Sequence, residues 1–188
     1  MRVLFLATGH AGSGHVVLGL AVAAALKRTG LPHTFKILSA QTPFADLARR
    51  LRFYNGTNCR RLCCLSKEQY RDSTLFTEIN AFKPDILIID LLWFSLDGFI
   101  SQLPCKKVLL VRQVNLRFFN FRVPEATLKF RPEDYDLILK TEPGFELPFP
   151  SQEIHPIIIR NRDEIKSAIV ARADLGLPPN AQTCLFPL

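Results

Sequence analysis

The stretch that decides the fold lies at the amino terminus, where residues 2–28 read RVLFLATGHAGSGHVVLGLAVAAALKR. Residues 2–8 form a nearly continuous apolar run, which is typical of a central parallel strand covered on both faces. Residues 16–28 are rich in alanine and leucine, end in two basic residues and are followed by Gly30, which indicates a buried, capped helix. The chain therefore begins with a strand, a glycine-rich loop and a helix.

Apolar strands and helices continue to alternate along the rest of the chain. We predict strands at 33–39, 62–65, 85–90, 107–111, 135–141 and 157–159, and helices at 44–53, 74–82, 92–103 and 163–175. Residues 115–130, rich in phenylalanine and arginine, are predicted to be a loop. Such alternation implies parallel strands joined by right-handed crossovers. The predicted fold class is α/β, a Rossmann-like, doubly wound, mostly parallel sheet flanked by helices.

Composition narrows the class of protein. With 48% hydrophobic and 22% charged residues the chain can bury one substantial core. The apolar start is broken at Gly9 and is too short for a signal peptide or a membrane span, so we expect a cytoplasmic protein. The five cysteines are an odd number without paired spacing, which predicts reduced thiols and no metal site. A net charge of +7 favours phosphate-bearing partners without choosing among nucleic acid, lipid headgroups and small molecules.

The carboxyl terminus suggests a domain boundary. Residues 183–188 (TCLFPL) start like a new strand that has no obvious partner in the first sheet. We therefore predict a domain at 1–160, and an interdomain linker with the start of a second domain at 161–188. A terminal strand that docks on the first sheet is the alternative.

The glycine-rich loop predicts an anion site, because backbone amides and a helix N-terminus converge there. The candidate binding residues are Gly9, His10, Gly12, Ser13 and Gly14. A P-loop is excluded, since His15 and Val16 stand where lysine and Ser or Thr are required. A dinucleotide site is disfavoured, since Val17 and Ser39 replace the packing glycine and the ribose-binding acid.

Four stretches together resemble a known family. They are the glycine-rich loop TGHAGSGH with its alanine-rich helix, KPDILIID at 83–90, KVLLVRQVN at 107–115, and the tail from 154 onward. In this order they resemble the N-terminal, acceptor-side domain of MurG-like transferases, glycosyltransferase family 28, which have the two-domain GT-B architecture. The resemblance covers nearly the whole chain. It does not extend to residues 91–94, LLWF, which replace a second glycine-rich loop, so the acceptor of MurG enzymes is not carried over.

The resemblance implies half of a sugar-nucleotide-dependent glycosyltransferase that moves a hexosyl group to an acceptor hydroxyl. The match to the family's loop histidine makes His15 the candidate catalytic base, with His10 as second choice. Asp90, at the end of a predicted strand, is expected to orient His15 or to bind the acceptor, or else to cap a helix. Arg112, Gln113 and Asn115 follow the next strand and are candidates for acceptor binding, or else a polar loop.

The same resemblance sets the expected partners. These are a sugar nucleotide as substrate, an unknown acceptor and a C-terminal GT-B domain, with no other cofactor and no metal. The Phe/Arg-rich residues 116–130 are open to four interpretations: an acceptor lid, a contact with the inner face of the membrane, a packing or dimer surface, or a nucleic-acid site. No nucleic-acid motif accompanies them, so we expect no nucleic acid. The alternative functions are a nucleotide- or sugar-phosphate-binding module without transfer activity and, after it, a nucleic-acid-binding domain.

Overall fold

The computed structural model describes residues 1–7, 14–39, 57–58, 70–123 and 126–183. The strands are β1 (Arg2–Ala7), β2 (Thr34–Ser39), β3 (Thr57–Asn58), β4 (Ile86–Asp90), β5 (Lys106–Val111), β6 (Asn120–Val123), β7 (Ala126–Lys129), β8 (Leu137–Lys140) and β9 (Gln152–Glu153). The α-helices are α1 (Gly14–Arg28), α2 (Thr74–Phe82) and α3 (Ala168–Asp174). Short 3₁₀ turns cover Tyr70–Asp72, Trp93–Leu96, Ile100–Gln102, Leu116–Phe119, Pro132–Asp134 and Arg162–Glu164.

In the described part of the chain, the main sheet has seven strands in the order β3-β2-β1-β4-β5-β8-β9. Every pair in it is parallel. The chain runs outward in one direction from β1 to β3 and returns to start β4 on the other side of β1. The crevice at the carboxyl ends of β1 and β4 is therefore the topological switch point, where open α/β sheets bind their ligands.

Side chains alternate along β1 and bury both of its faces. Phe5 and Ala7 pack with residues of α1 on one face. Leu4 and Leu6 lie on the other face, in the core cluster that also contains Leu75 of α2. The sheet is thus covered on both sides, and the predicted doubly wound α/β class is confirmed.

A glycine lets α1 lie close against the sheet. Gly19 is buried, and a Cβ added there would lie 2.9 Å from Cδ1 of Phe5 and 3.0 Å from Cδ1 of Ile37. The sequence analysis sought such a packing glycine at Val17, which is exposed. The structure places it two residues later.

Most sequence predictions for the sheet hold. The strands predicted at 33–39, 85–90 and 107–111 are β2, β4 and β5, the strand at 135–141 is the shorter β8, and the helix at 74–82 is α2. The helix predicted at 44–53, the strand at 62–65 and most of the strand at 183–188 lie outside the described residues.

The helix predicted at 92–103 is wrong. Two 3₁₀ turns, Trp93–Leu96 and Ile100–Gln102, occupy this segment. Trp93, Leu96 and Phe99 are all buried. Because they recur every third residue, a three-residue turn aligns them on the core better than an α-helix would.

The segment 115–130 is not only a loop. After the turn Leu116–Phe119 it forms the antiparallel hairpin β6–β7, in which Phe121 pairs with Leu128. Half-buried Phe121 and Leu128 alternate with exposed neighbours such as Arg122 and Thr127. This alternation with a period of two is the pattern that predicts a strand, and the sequence analysis missed it because phenylalanine is so abundant in the segment.

Near the carboxyl terminus one prediction is wrong and another holds only in part. No strand forms at 157–159, and the last strand among the described residues is β9. The carbonyl oxygens of Ile158 and Ile159 accept hydrogen bonds from the Arg28 guanidinium, at 3.4 and 3.1 Å, so a side chain takes the place of a neighbouring strand. The helix predicted at 163–175 is shorter in the structure, where α3 begins at Ala168.

We expect Gly19→Ala to lower the free energy of unfolding. Alanine favours a helix interior by about 1 kcal/mol over glycine. The added methyl would, however, press on Phe5 and Ile37, and overpacking costs roughly 1–3 kcal/mol. Urea denaturation followed by circular dichroism measures the difference. Gly14→Ala is the control, since a Cβ there meets no heavy atom of the described residues within 4 Å. A Gly19→Ala protein as stable as the parent would show that α1 does not need this close approach.

Candidate functional site

Three predicted site residues meet at the switch point. His15 is the second residue of α1, Asp90 is the last residue of β4, and Arg112 follows directly after β5. β4 lies between β1 and β5 in the sheet, so the carboxyl ends of all three strands are neighbours. The sequence alone supplied these residues from separate segments, and the parallel sheet brings their side chains into contact.

The His15 imidazole is hydrogen-bonded to the Asp90 carboxylate. Nδ1 of His15 lies 2.6 Å from Oδ2 of Asp90. The Asp90 side chain is 1% exposed and that of His15 is 17% exposed. An ionised carboxylate only accepts hydrogen bonds, so Nδ1 carries the hydrogen and donates it. The neutral ring then has its lone pair on Nε2, the arrangement of an oriented general base.

Arg112 contacts the same carboxylate from the other side. Its Nη2 donates to Oδ1 and Oδ2 of Asp90, at 3.2 and 3.3 Å. The Arg112 side chain is 35% exposed, so the guanidinium joins the buried carboxylate to the surface of the crevice. A buried carboxylate is costly unless it is paired and hydrogen-bonded, and Asp90 is both.

Gln113 and Asn115 have roles in shaping the loop after β5. The backbone N–H of Gln113 donates to Oε2 of Glu142 at 3.0 Å. Oδ1 of Asn115 accepts from the backbone N–H of Arg117 at 2.9 Å and so caps the turn Leu116–Phe119. In the described part of the chain neither side chain hydrogen-bonds to His15 or Asp90. Acceptor binding by these residues stays a prediction.

The glycine-rich loop is described only where it ends. Gly9, His10, Gly12 and Ser13 lie outside the described residues. Gly14 is the exposed first residue of α1, and no described heavy atom lies within 4 Å of a Cβ added there.

Leu91 is a feature that the sequence analysis missed. It has a φ of +67°, in the left-handed region that favours glycine, and it is nearly buried. Its N–H donates to the carbonyl of Leu110, and the N–H of Leu92 donates back to the carbonyl of Asp90 at 2.8 Å. Such a backbone costs on the order of 1–3 kcal/mol and persists only where the surroundings enforce it. The chain thus turns sharply just after Asp90, where glycine was expected from the family resemblance.

The phenylalanines of 116–130 pack inward. Phe121 stacks on Phe94 with ring centroids 3.9 Å apart and planes 6° apart. Phe119 and Phe130 make edge or tilted contacts with Phe149. All belong to the core cluster under the sheet or pack against it. Of the four interpretations of this segment, the described contacts support a packing surface.

Solved structures with a similar fold are glycosyltransferases. The spinosyn forosaminyltransferase SpnP matches with a TM-score of 0.54 at 18% identity, over 86% of this chain and 52% of that chain. SsfS6, a glycosyltransferase of Streptomyces sp. SF2575, matches with a TM-score of 0.49 at 14% identity, over 89% and 57% of the two chains. A glycosyltransferase of Rickettsia africae ESF-5 matches with a TM-score of 0.49 at 13% identity, over 74% and 36%. No family model matches the sequence, and no curated protein does.

The match to the forosaminyltransferase establishes the fold. The chain has a doubly wound, Rossmann-like α/β fold that is similar to the fold of that enzyme over 86% of this chain. It spans about half the length of that enzyme. Across the described ranges, 1–7, 14–39, 57–58, 70–123 and 126–183, no helix has both the length and the apolar character to cross a bilayer.

We expect Phe121→Ala to lower the free energy of unfolding by about 1–3 kcal/mol, less than full truncation of a completely buried ring because Phe121 is half-buried. Arg122→Ala, an exposed position on the same strand, is the control and should change it by less than about 0.5 kcal/mol. Thermal unfolding and sedimentation with anionic vesicles are measured together. Unchanged stability with weaker vesicle binding would instead favour the membrane-contact interpretation.

Proposed function

We propose that this chain is the N-terminal, acceptor-side domain of a sugar-nucleotide-dependent glycosyltransferase that transfers a hexosyl group to an acceptor hydroxyl. The observation that carries the proposal is the 2.6 Å hydrogen bond between His15 and Asp90 at the switch point of the sheet. It holds Nδ1 of the imidazole on a carboxylate, and Nε2, which has no hydrogen bond to a described residue, is the atom proposed to take the proton. The GT-B type of fold supports glycosyl transfer as the reaction that such a base would serve.

In the proposed reaction His15 acts on the acceptor. Nε2 takes the hydroxyl proton as the acceptor oxygen attacks the anomeric carbon of the donor sugar. The new C–O bond forms while the bond between that carbon and the diphosphate oxygen breaks, and the electron pair leaves with the nucleoside diphosphate. Asp90 stabilises the imidazolium that results and keeps the ring in place. Neither residue needs a metal or a further cofactor for these roles.

The remaining elements of the proposal concern the donor. Backbone amides at the start of α1, together with the glycine-rich loop, would face the negative charge that develops on the leaving group. Most of the donor contacts are assigned to a second domain, with residues 161–188 as the connection to it. This assignment rests on the family resemblance and on the share of the forosaminyltransferase that the chain covers. The acceptor is left open, because the LLWF segment departs from MurG-like enzymes.

His15→Ala should lower the rate of transfer by about 10²–10⁴-fold, the usual contribution of a general base. Asp90→Asn should lower it by up to about 10⁴-fold, because the ring loses the carboxylate that holds it in the tautomer protonated at Nδ1. Release of nucleoside diphosphate from a panel of sugar nucleotides, with sugar, aromatic and lipid-linked alcohols as acceptors, measures the rate in the natural full-length polypeptide.

His33→Ala is the matched control for this experiment. His33 is half-buried just before β2, at the amino ends of the strands and so away from the site, and among the described residues its ring hydrogen-bonds locally, to the carbonyl of Leu31. Its removal should leave the rate unchanged. Equal losses in the His15 and His33 variants would count against a catalytic role for His15. Nucleotide binding without turnover by any panel member would favour the binding-module alternative.

A further inference from the structure

The negative charge of the buried Asp90 carboxylate has to be balanced by a positive group. The Asp90 side chain is 1% exposed, and a carboxylate so placed needs a positive partner. Two groups within hydrogen-bonding distance can supply that charge: a protonated His15 or the Arg112 guanidinium. The two arrangements differ in whether His15 can act as a base, because a protonated imidazole has no lone pair left to accept a proton.

Arg112 can supply the positive charge that the Asp90 carboxylate needs without protonation of His15. A guanidinium remains charged at every pH at which the protein is folded. Nη2 reaches both carboxylate oxygens, at 3.2 and 3.3 Å, while Oδ2 also accepts the Nδ1–H of His15. Backbone pairing of β4 with β5 sets Asp90 opposite Leu110. The position of Arg112, two residues after Leu110, is therefore set by the register of the two strands and not by its side-chain conformation alone.

We propose that Arg112 is a positioning residue that provides the permanent counter-charge to Asp90 and thereby keeps His15 neutral, with Nε2 available, near neutral pH. This assigns Arg112 a role different from the acceptor binding expected from the sequence. Only the catalytic consequence rests on the proposed function. The charge arrangement itself is independent of it.

Two other charged residues near this edge of the sheet have partners elsewhere. Lys140, at the end of β8, donates to the carbonyl of Phe145 and lies 3.3 Å from Glu153. Glu142 accepts the backbone N–H of Gln113. Among the described residues, His15 and Arg112 are the groups that hydrogen-bond or ion-pair with the Asp90 carboxylate. His10, in the preceding loop, lies outside the described residues.

The test is a pH titration of the histidine rings by NMR in the ¹⁵N-labelled chain. In Arg112→Gln the pH at which His15 is half-protonated should rise by about 0.5–1 unit, because the imidazolium becomes the sole counter-charge of Asp90; the half-exposed guanidinium keeps the shift below that of a fully buried charge. Arg112→Lys should restore most of the parental value, since it restores the charge.

Arg117→Gln is the matched control. Arg117 is an exposed arginine of the same segment, so its replacement changes the net charge equally without touching Asp90, and it should move the His15 titration by less than about 0.2 unit. The ring of His33 serves as an internal reference and should titrate alike in all variants. A shift in Arg112→Gln no larger than that in Arg117→Gln, or a shift downward, would overturn the proposal.

A measurement on the parent protein keeps the test decisive if Arg112→Gln does not fold. The ¹⁵N shifts of His15 at pH 7 should be those of a neutral ring protonated at Nδ1, and a doubly protonated ring would overturn the proposal. None of these readouts uses activity. A titration as expected without any glycosyl transfer would therefore count against the proposed function alone, and transfer without the titration shift against the role of Arg112 alone.

Discussion

The burial of β1 on both faces is the constraint on which the other features depend. Its odd and even side chains enter different cores, so helices must cover the sheet from both sides. α1 meets this requirement at close range because Gly19 has no side chain to hold it away from Phe5. The close packing holds α1 near the sheet, and His15 at its start lies in contact with Asp90 at the end of β4.

The site is built from the ends of elements rather than from one motif. α1 contributes His15, β4 contributes Asp90, and the residue after β5 contributes Arg112. Each side chain is directed by backbone that the sheet holds in register, and the strained Leu91 turns the chain away immediately after Asp90. A hydrogen bond of 2.6 Å to a buried carboxylate needs this degree of preorganisation, because loosely held groups would be separated by water.

Sequence reasoning succeeded where a local pattern matched a local structure. The apolar runs of β1, β4 and β5 and the helix predicted at 74–82 are examples. In the structure Ser73 accepts the N–H of Phe76 at the start of that helix, so its cap needs no distant partner. Sequence reasoning failed at 92–103, where two 3₁₀ turns stand in place of the predicted α-helix, and at 157–159, where the Arg28 side chain rather than a strand satisfies the backbone. In both places the conformation is determined by the contacts of the segment with distant parts of the chain.

The sequence by itself determined the α/β class, the order of strand, glycine-rich loop and helix, and Asp90 and Arg112 as candidates at strand ends, because hydrophobic period and strand ends are local properties. His15 became a candidate through the resemblance of its loop to that of MurG-like transferases. Only the tertiary structure decided how those candidates are joined. It set Nδ1 of His15 on Asp90, directed Arg112 to the same carboxylate, and turned the phenylalanines of 116–130 into the core. These contacts bring side chains that are far apart in the chain to one buried charge or to one apolar surface. They form only once the sheet is assembled.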